Sequence, residues 1–279
     1  MKTVIGLDVG ISTTKIVGVR DGIVISPMRV KATDPVTSLY GALGKYMSDN
    51  NLKFDDIEQL MLTGVGASYV GDKVFDLNVG KIDEFTSDAL GAKQHMDIDQ
   101  MIVVSMGTGT TIVKYDRGEV SHLGGIAVGG GTLSGLSRLL LGTDDAERIL
   151  EMAAKGNIEN VNLTIGDISK EVLPGLPLNA TASLFGKAQH DASPEDVALG
   201  LICTVVQTIG SATILASLNT GIRDFFMIGS MTLLPQCREI FDMMGELYDV
   251  RFHIPQHSEY ATAIGAALSY NDTLRSNED

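Results

Sequence analysis

The sequence contains no tryptophan and only two cysteines among its 279 residues, and aromatic side chains make up only 5% of it. Cys203 and Cys237 fall in separate predicted helices and show no CxxC or Cys/His spacing. This pattern predicts neither a disulfide framework nor a zinc site. Because reduced thiols are typical of the cytoplasm, we expect a cytoplasmic protein.

Positive charge is also scarce, since 21 lysines and arginines stand against 35 acidic residues and the net charge is −14. No basic run occurs in the sequence, whereas a nucleic-acid surface needs clustered lysine and arginine. The opening run MKTVIGLDVG is too short and too broken by glycine for a signal peptide, and we expect no segment of membrane-spanning length. Neither nucleic acid nor a membrane is therefore an expected partner.

Glycine is abundant, with 31 residues, which together with 44% hydrophobic content favours an α/β fold rich in tight turns. A strand, turn and strand pattern occurs twice: TVIGLDV and KIVGVR flank GISTT in 3–20, and MIVVSM and TIVKY flank GTGT in 101–115. Each hairpin precedes a third strand and then alternating helices and strands. The repeat predicts two lobes of one topology, an N-terminal lobe over 1–97 and a C-terminal lobe over 98–279.

A long apolar helix is predicted after the segment SPED at 193–196, which has the serine cap and acidic first turn of a helix start. Such a helix is either buried in the core or part of a subunit interface, and core packing is the more common case. Its apolar surface still exceeds what one lobe is expected to cover. We therefore expect it to contribute to a homodimer as well.

The first hairpin has a tip suited to phosphate. Gly10 permits close backbone approach, the hydroxyls of Ser12 and Thr13 can donate hydrogen bonds, and Asp8 can hold Mg²⁺ directly or through water. A glycine-bearing hairpin alone is equally consistent with a plain turn. If the lobes share one topology, however, this tip faces its counterpart across a cleft where the phosphates of ATP can bind.

Three further glycine segments are candidates for nucleotide binding: the second tip Gly107-Thr108-Gly109-Thr110, the helix start Gly129-Gly130-Gly131, and Gly229-Ser230 after a predicted strand. The second tip offers backbone N–H groups and hydroxyls to a phosphate. The glycine triplet either lets a nucleotide pass close to a helix N-terminus or only allows that helix to pack closely. The third segment either contacts adenine or ribose or is a simple turn between a strand and a helix.

Glu84 is the candidate base. Phosphoryl transfer to an alcohol needs a group that accepts the hydroxyl proton, and it needs neutralisation of the charge on the moving phosphoryl. Glu84 lies at the start of a small-residue helix near the junction of the two halves. An acidic residue at a helix start is more often a cap or a partner of the helix dipole, so both roles stay open.

The segment LGGIAVGGGTLSGLSRLLLG at 123–142 resembles the glycine-rich segment of type II pantothenate kinases. Further features occur in family order: Asp8-Val9-Gly10, Lys15, the pair Glu84-Phe85, GTGT at 107–110, TASLFG at 181–186, IGS at 228–230 and AIGAAL at 263–268. The resemblance implies a two-lobed actin-like (ribonuclease H-like) ATPase fold. It also implies a homodimer that uses ATP and Mg²⁺ to phosphorylate pantothenate at its primary hydroxyl, the first step towards coenzyme A.

The resemblance also implies roles for single residues. It makes Glu84 the catalytic base, assigns Asp8, Gly10 and Lys15 to the first phosphate loop, and sets Thr181 near the substrate. The segment around Thr108 becomes the second phosphate loop, and the triplet 129–131 supplies the nucleotide-side glycines.

Two positions depart from the family pattern. His122 stands where the family has an arginine near the substrate, and Ile11 stands where the first loop has a second glycine. Histidine is shorter and only partly charged near neutral pH, so it neutralises a phosphoryl group or a carboxylate less reliably. The identity of the acceptor is therefore less firmly implied than the class of kinase.

Three alternatives stay open at this point. GLDVGISTTK also resembles the start of the ATPases that activate 2-hydroxyacyl-CoA dehydratases, although their iron–sulfur cluster needs cysteines that this sequence lacks near its glycine-rich segments. An N-acetylhexosamine kinase needs the same loops and a similar carboxylate. A non-catalytic sensor that binds nucleotide or pantothenate is consistent with His122 and Ile11.

Overall fold

The computed structural model describes residues 2–11, 13–31, 34–94, 96–171, 175 and 177–276. Ser12, one of the expected phosphate-binding residues, lies outside these ranges. The strands within them are β1 Thr3–Val9, β2 Thr13–Arg20, β3 Ile23–Lys31, β4 Ile57–Thr63, β5 Lys73–Val74, β6 Leu77–Lys81, β7 Gln100–Met106, β8 Thr110–Asp116, β9 Glu119–Ile126, β10 Leu163–Thr164, β11 Thr181–Ser183, β12 Asp224–Ile228 and β13 Arg251–His253. The helices are α1 Pro35–Asp49, α2 Glu84–Lys93, α3 Gly130–Leu141, α4 Ala146–Ala153, α5 Ile165–Ile168, α6 Pro194–Ser217, α7 Pro235–Tyr248 and α8 Ala261–Ser276.

Two mixed sheets repeat one topology. The first sheet has the order β3-β2-β1-β4-β6-β5, and the second has the order β9-β8-β7-β12-β13. In each sheet an antiparallel three-stranded meander continues into two parallel strands, β4 and β6 in the first and β12 and β13 in the second. The predicted hairpin repeat and the two-lobed α/β fold class are therefore confirmed.

Alternation along β1 explains how the first sheet is covered on both faces. Ile5 and Leu7 point to α1, where they join a core that includes Leu39 and Leu43. Val4 points to the opposite face and packs with Ala263, Ile264 and neighbouring residues of α8. The second sheet is built in the same way, with α2 packed on one face and α3, α6 and α7 on the other.

The helices α2 and α8 cross between the two sheets. α2 precedes β7 in the chain but packs on the second sheet, whereas α8 comes last in the chain but packs on the first sheet. At the crossing the backbones touch, because a Cβ atom on Gly265 would lie 1.8 Å from the carbonyl oxygen of Ser87, and one on Gly91 would lie 1.8 Å from that of Ala261. The boundary near residue 97 stays a prediction, and it falls in the link between α2 and β7.

The long helix α6 begins as predicted, with the Ser193 hydroxyl accepting a hydrogen bond of 3.1 Å from the Asp196 N–H. Its length and composition would allow it to cross a membrane, so the expectation that no segment reaches that length is wrong. The helix is nevertheless mostly buried, between α3, α4 and α7. It is therefore packed as a core helix of the second half.

Candidate active site

Both hairpin tips open into one cleft of about 910 Å³ between the two sheets. Gly10 and Gly107, the first glycines of the two tips, line this same cavity. The cleft brings together most of the residues expected from the sequence: Asp8, Gly10, Thr13, Lys15, Glu84, Gly107, Thr108, Gly109, Thr110, His122, Gly130, Gly131, Gly229 and Ser230. The internal repeat thus produces a single site from two distant parts of the chain.

The first tip is closed by its own backbone and flanked by an ion pair. The Gly10 N–H donates a hydrogen bond of 3.1 Å to the Thr13 carbonyl oxygen. Just inside the tip, Lys15 Nζ lies 3.3 Å from Asp8 Oδ2, with only 9% and 13% of the two side chains exposed. The positive charge of Lys15 is therefore already balanced by Asp8, and the pair stands at the wall of the cleft.

The second tip is held against the start of α3. The N–H groups of Gly130 and Gly131 donate hydrogen bonds of 2.8 and 2.9 Å to the carbonyl oxygens of Gly107 and Thr108. A Cβ atom on Gly129 would lie 2.7 Å from the Thr108 carbonyl oxygen, so this glycine is needed for close packing behind the cleft wall. Two N–H groups at the helix start are thus used by the loop, which favours the packing interpretation of the glycine triplet.

Two glycines with positive φ occupy matching positions at the ends of β4 and β12. Gly64 has φ 84° and Gly229 has φ 95°, and each begins a 3₁₀ turn at the cleft. A Cβ atom on Gly229 would lie 2.5 Å from the Met106 carbonyl oxygen, so only glycine fits there. Gly229 was expected from the sequence and Gly64 was not, although the internal repeat was a signal that could have found it.

Glu84 is the first residue of α2 and lines the cleft. The helix cap is the preceding residue, Asp83, whose carboxylate accepts a hydrogen bond of 2.9 Å from the Thr86 N–H. The Glu84 side chain is exposed to the cleft, and the surrounding protein restricts its access to bulk water. This desolvation raises the pKa of Glu84, the charge of Asp8 raises it further, and Lys15 acts in the opposite direction.

Asp88 lies one helical turn after Glu84 and is completely buried, and it was not expected from the sequence. Its Oδ1 accepts a hydrogen bond of 2.6 Å from the Thr262 hydroxyl of α8, while its Oδ2 has no hydrogen-bond partner among the described residues. Burial raises the pKa of Asp88 to about 7, against the lowering effect of the Thr262 hydroxyl. The i, i+4 spacing from Glu84 was the available sequence signal.

The two residues expected near the substrate, His122 and Thr181, line different cavities in the structure. The ring of His122, exposed on β9, stacks on Phe85 with centroids 4.7 Å apart and planes 5° apart, and both residues line the cleft. Thr181 instead lines a second cavity of about 580 Å³ beside α6 and α7. The structure therefore brings His122 to the cleft but does not bring Thr181 there.

Comparison with known proteins identifies the family. The Fumble family model matches residues 91–269. Pantothenate kinase 1 of Arabidopsis thaliana is 29% identical over 192 residues, covering 64% of this chain and 50% of that protein. A type II pantothenate kinase of Staphylococcus haemolyticus is 26% identical over 224 residues, covering 77% of this chain and 84% of that protein. The chain thus spans only half the length of the Arabidopsis relative.

Solved structures show the same architecture. The activator of 2-hydroxyisocaproyl-CoA dehydratase from Clostridium difficile, with bound ADPNP, superposes with a TM-score of 0.71, covering 99% of this chain and 97% of that one. Its identity is 17%, so this likeness shows the fold alone. The family model, by contrast, matches well over half of the chain. The chain therefore belongs to the Fumble family, the family of type II pantothenate kinases.

Proposed function

We propose that this protein transfers the γ-phosphoryl group of ATP to the primary hydroxyl of pantothenate, giving 4'-phosphopantothenate for coenzyme A synthesis. The main support for this proposal is that two phosphate-type hairpin tips and the carboxylates of Asp8 and Glu84 converge on a single cleft. Membership of the Fumble family supports pantothenate as the acceptor.

ATP and Mg²⁺ fit the residues of the cleft. The tips around Gly10 and Gly107 would bind phosphates, and Gly229 with Ser230 would contact the nucleoside. Asp8 would hold Mg²⁺, directly or through water. The negative charge of Asp8 already raises the pKa of Glu84, and a divalent cation near both carboxylates would relieve that repulsion. When bound, Mg²⁺ would neutralise charge on the β- and γ-phosphates.

Glu84 would act as the general base. The acceptor hydroxyl gives its proton to the Glu84 carboxylate while its oxygen forms a bond to the γ-phosphorus, and the bond from that phosphorus to the β-phosphate oxygen breaks to release ADP. The raised pKa makes this carboxylate a stronger base than an ordinary glutamate. The Phe85–His122 stack would form the acceptor-side wall, because it lies next to Glu84 in the cleft.

We also propose a cytoplasmic homodimer. Leu215 and Leu218 at the end of α6 are each 68% exposed, and Leu139 and Leu140 on the adjoining α3 are 81% and 60% exposed. Large apolar side chains exposed on two helices that pack together favour burial against a second copy. The two cysteines stay consistent with a reducing compartment, since both thiols are buried and unpaired.

The alternatives have less support. A dehydratase activator would need thiolates for a cluster, but Cys203 and Cys237 are packed in the core, and the Cys237 Sγ donates to the Met231 carbonyl oxygen. Measuring ADP release with pantothenate, with N-acetylglucosamine and with no acceptor separates kinase, hexosamine kinase and plain ATPase. ADP release that depends on pantothenate is the expected result, and no release under any condition would leave only the binding sensor.

A further inference from the structure

Among the described residues, three basic side chains line the cleft, and they differ in how their charge is used: Lys15, Arg29 and His122. Lys15 is paired with Asp8, and the His122 ring is stacked on Phe85. Arg29 was not identified from the sequence. Its guanidinium has no ion-pair or hydrogen-bond partner among the described residues, so it is the one permanent cation of this lining that is not already balanced.

The strand register fixes where Arg29 lies. Asp8 of β1 is paired with Lys15 of β2, and Lys15 is paired with Arg29 of β3, all in antiparallel ladders. Directly opposed residues in such ladders point to the same face, with Cβ atoms about 4.5–5.5 Å apart. The three side chains therefore form one row across the sheet, beside the tip at Gly10. Arg29 stands at the outer end of that row.

The other wall of the cleft offers no equivalent charge. The matching row in the second sheet runs through Ser105, Thr111 and Gly125, paired in the same way, and these three residues also line the cleft. All three are uncharged. Among the described residues that line the cleft, the permanent cations that can balance phosphate charge therefore lie on the first sheet.

Phosphoryl transfer spreads negative charge over the oxygens of the moving group, and a correctly placed arginine is worth about 10³–10⁵ in kcat in related chemistry. A guanidinium suits this task because it is always charged and presents several N–H donors in one plane. Its place beside the Asp8–Lys15 pair sets it next to the first phosphate tip rather than at the Phe85–His122 wall.

We propose that Arg29 binds the γ-phosphoryl group of the bound nucleotide and neutralises its charge during transfer. This inference rests on the proposed kinase function, but nucleotide binding tests it without any acceptor. A contact to the γ-phosphoryl group adds affinity for ATP that ADP cannot gain. Arg29 would then be a catalytic residue contributed by β3.

The test compares Arg29→Gln and Arg29→Lys with wild type. The matched control is Arg117→Gln, which removes the same charge from an arginine with 72% of its side chain exposed in the β8–β9 turn. Titration calorimetry with ADP and with the β,γ-imido analogue of ATP gives the first readout. We expect Arg29→Gln to weaken binding of the ATP analogue about tenfold and to leave ADP affinity unchanged. Arg29→Lys should show an intermediate loss of analogue binding. The control should leave both affinities unchanged.

The second readout is turnover with whichever acceptor the wild type phosphorylates. We expect kcat of Arg29→Gln to fall at least about 100-fold, with the KM of the acceptor unchanged. Equal loss of ADP and analogue binding, or no loss of either, would overturn the proposal. A rise only in the KM of pantothenate would also overturn it, because Arg29 would then bind the acceptor carboxylate. If Arg29→Gln selectively loses analogue binding but the wild type does not phosphorylate pantothenate, the role of Arg29 is upheld and the proposed acceptor is rejected.

Discussion

Replacing Gly265 with alanine should separate the two helices that join the halves of the molecule. The added Cβ atom would lie 1.8 Å from the Ser87 carbonyl oxygen, whereas ordinary contacts begin at 3.4 Å, so α2 and α8 must move apart by about 1.6 Å. The obstacle is backbone of a neighbouring helix, which cannot rotate away as a side chain can. Overpacking typically costs about 1–3 kcal/mol, and we expect the upper end here.

The same shift would disturb the site. α2 carries Glu84 and Asp88, and α8 carries Thr262, whose hydroxyl donates the 2.6 Å hydrogen bond to Asp88. We therefore expect a lower kcat together with lower stability in Gly265→Ala. A misplacement of about 1 Å can cost about 100-fold in rate when it alters the position of a catalytic group.

Thermal unfolding followed by circular dichroism measures the effect. A loss of about 3 kcal/mol lowers the melting temperature by roughly 6–12 °C for a chain of this size. Gly44→Ala is the matched control, because Gly44 lies in α1 and a Cβ atom there meets nothing within 4 Å. That control should be neutral or more stable by about 0.5–1 kcal/mol, since alanine favours helix. If Gly265→Ala melts like Gly44→Ala, the account of the helix crossing is wrong.

Three further predictions concern the buried carboxyl, the acceptor wall and assembly. Burial raises the pKa of Asp88 to about 7 from an ordinary value of 3.8, so the folded state favours the protonated form and its contribution to stability is lost as pH rises between these values. Asp88→Asn should therefore melt higher than wild type above about pH 7 and not near pH 4, and an equal difference at both pH values would contradict this. His122→Arg should raise kcat/KM for pantothenate, because a permanent cation neutralises the moving phosphoryl group more reliably than a histidine does. If His122→Arg impairs phosphorylation of another acceptor and pantothenate turnover is negligible, that other acceptor is the substrate. Unchanged rates with every acceptor would show that His122 takes no part in the site. Replacing Leu215 and Leu218 by serine should convert a dimer to a monomer in light scattering, and a monomeric wild type would refute the interface.

The sequence predicted those elements whose pattern is local. β1, β2, β7 and β8 are β-branched runs on either side of polar turns, and the serine cap of α6 precedes a continuous apolar stretch, so each was found near its true bounds. β5 and β6 were missed because they have only two and five residues, too few for alternation to show. β10 and β11 were missed for the same reason, since they have only two and three residues.

The parts of the site that were missed depend on contacts between distant residues. Arg29 reaches the cleft because β3 pairs with β2 in a register that sets it opposite Lys15, and no local motif marks that position. Asp88 becomes a buried titrating group only because α8 crosses α2 and supplies Thr262, which is 174 positions away. Thr181 was expected near the substrate from its local motif, but the β10–β11 hairpin sets it beside α6 and α7.

Transfer of labelled phosphate from γ-labelled ATP is the most direct test of the central claim, with wild type and Glu84→Gln each given pantothenate or N-acetylglucosamine. We expect labelled 4'-phosphopantothenate from wild type only. We also expect Glu84→Gln to bind ATP with nearly unchanged affinity, because the substitution removes a proton acceptor and preserves size. Label on the sugar instead of pantothenate, or undiminished transfer by Glu84→Gln, would contradict the account.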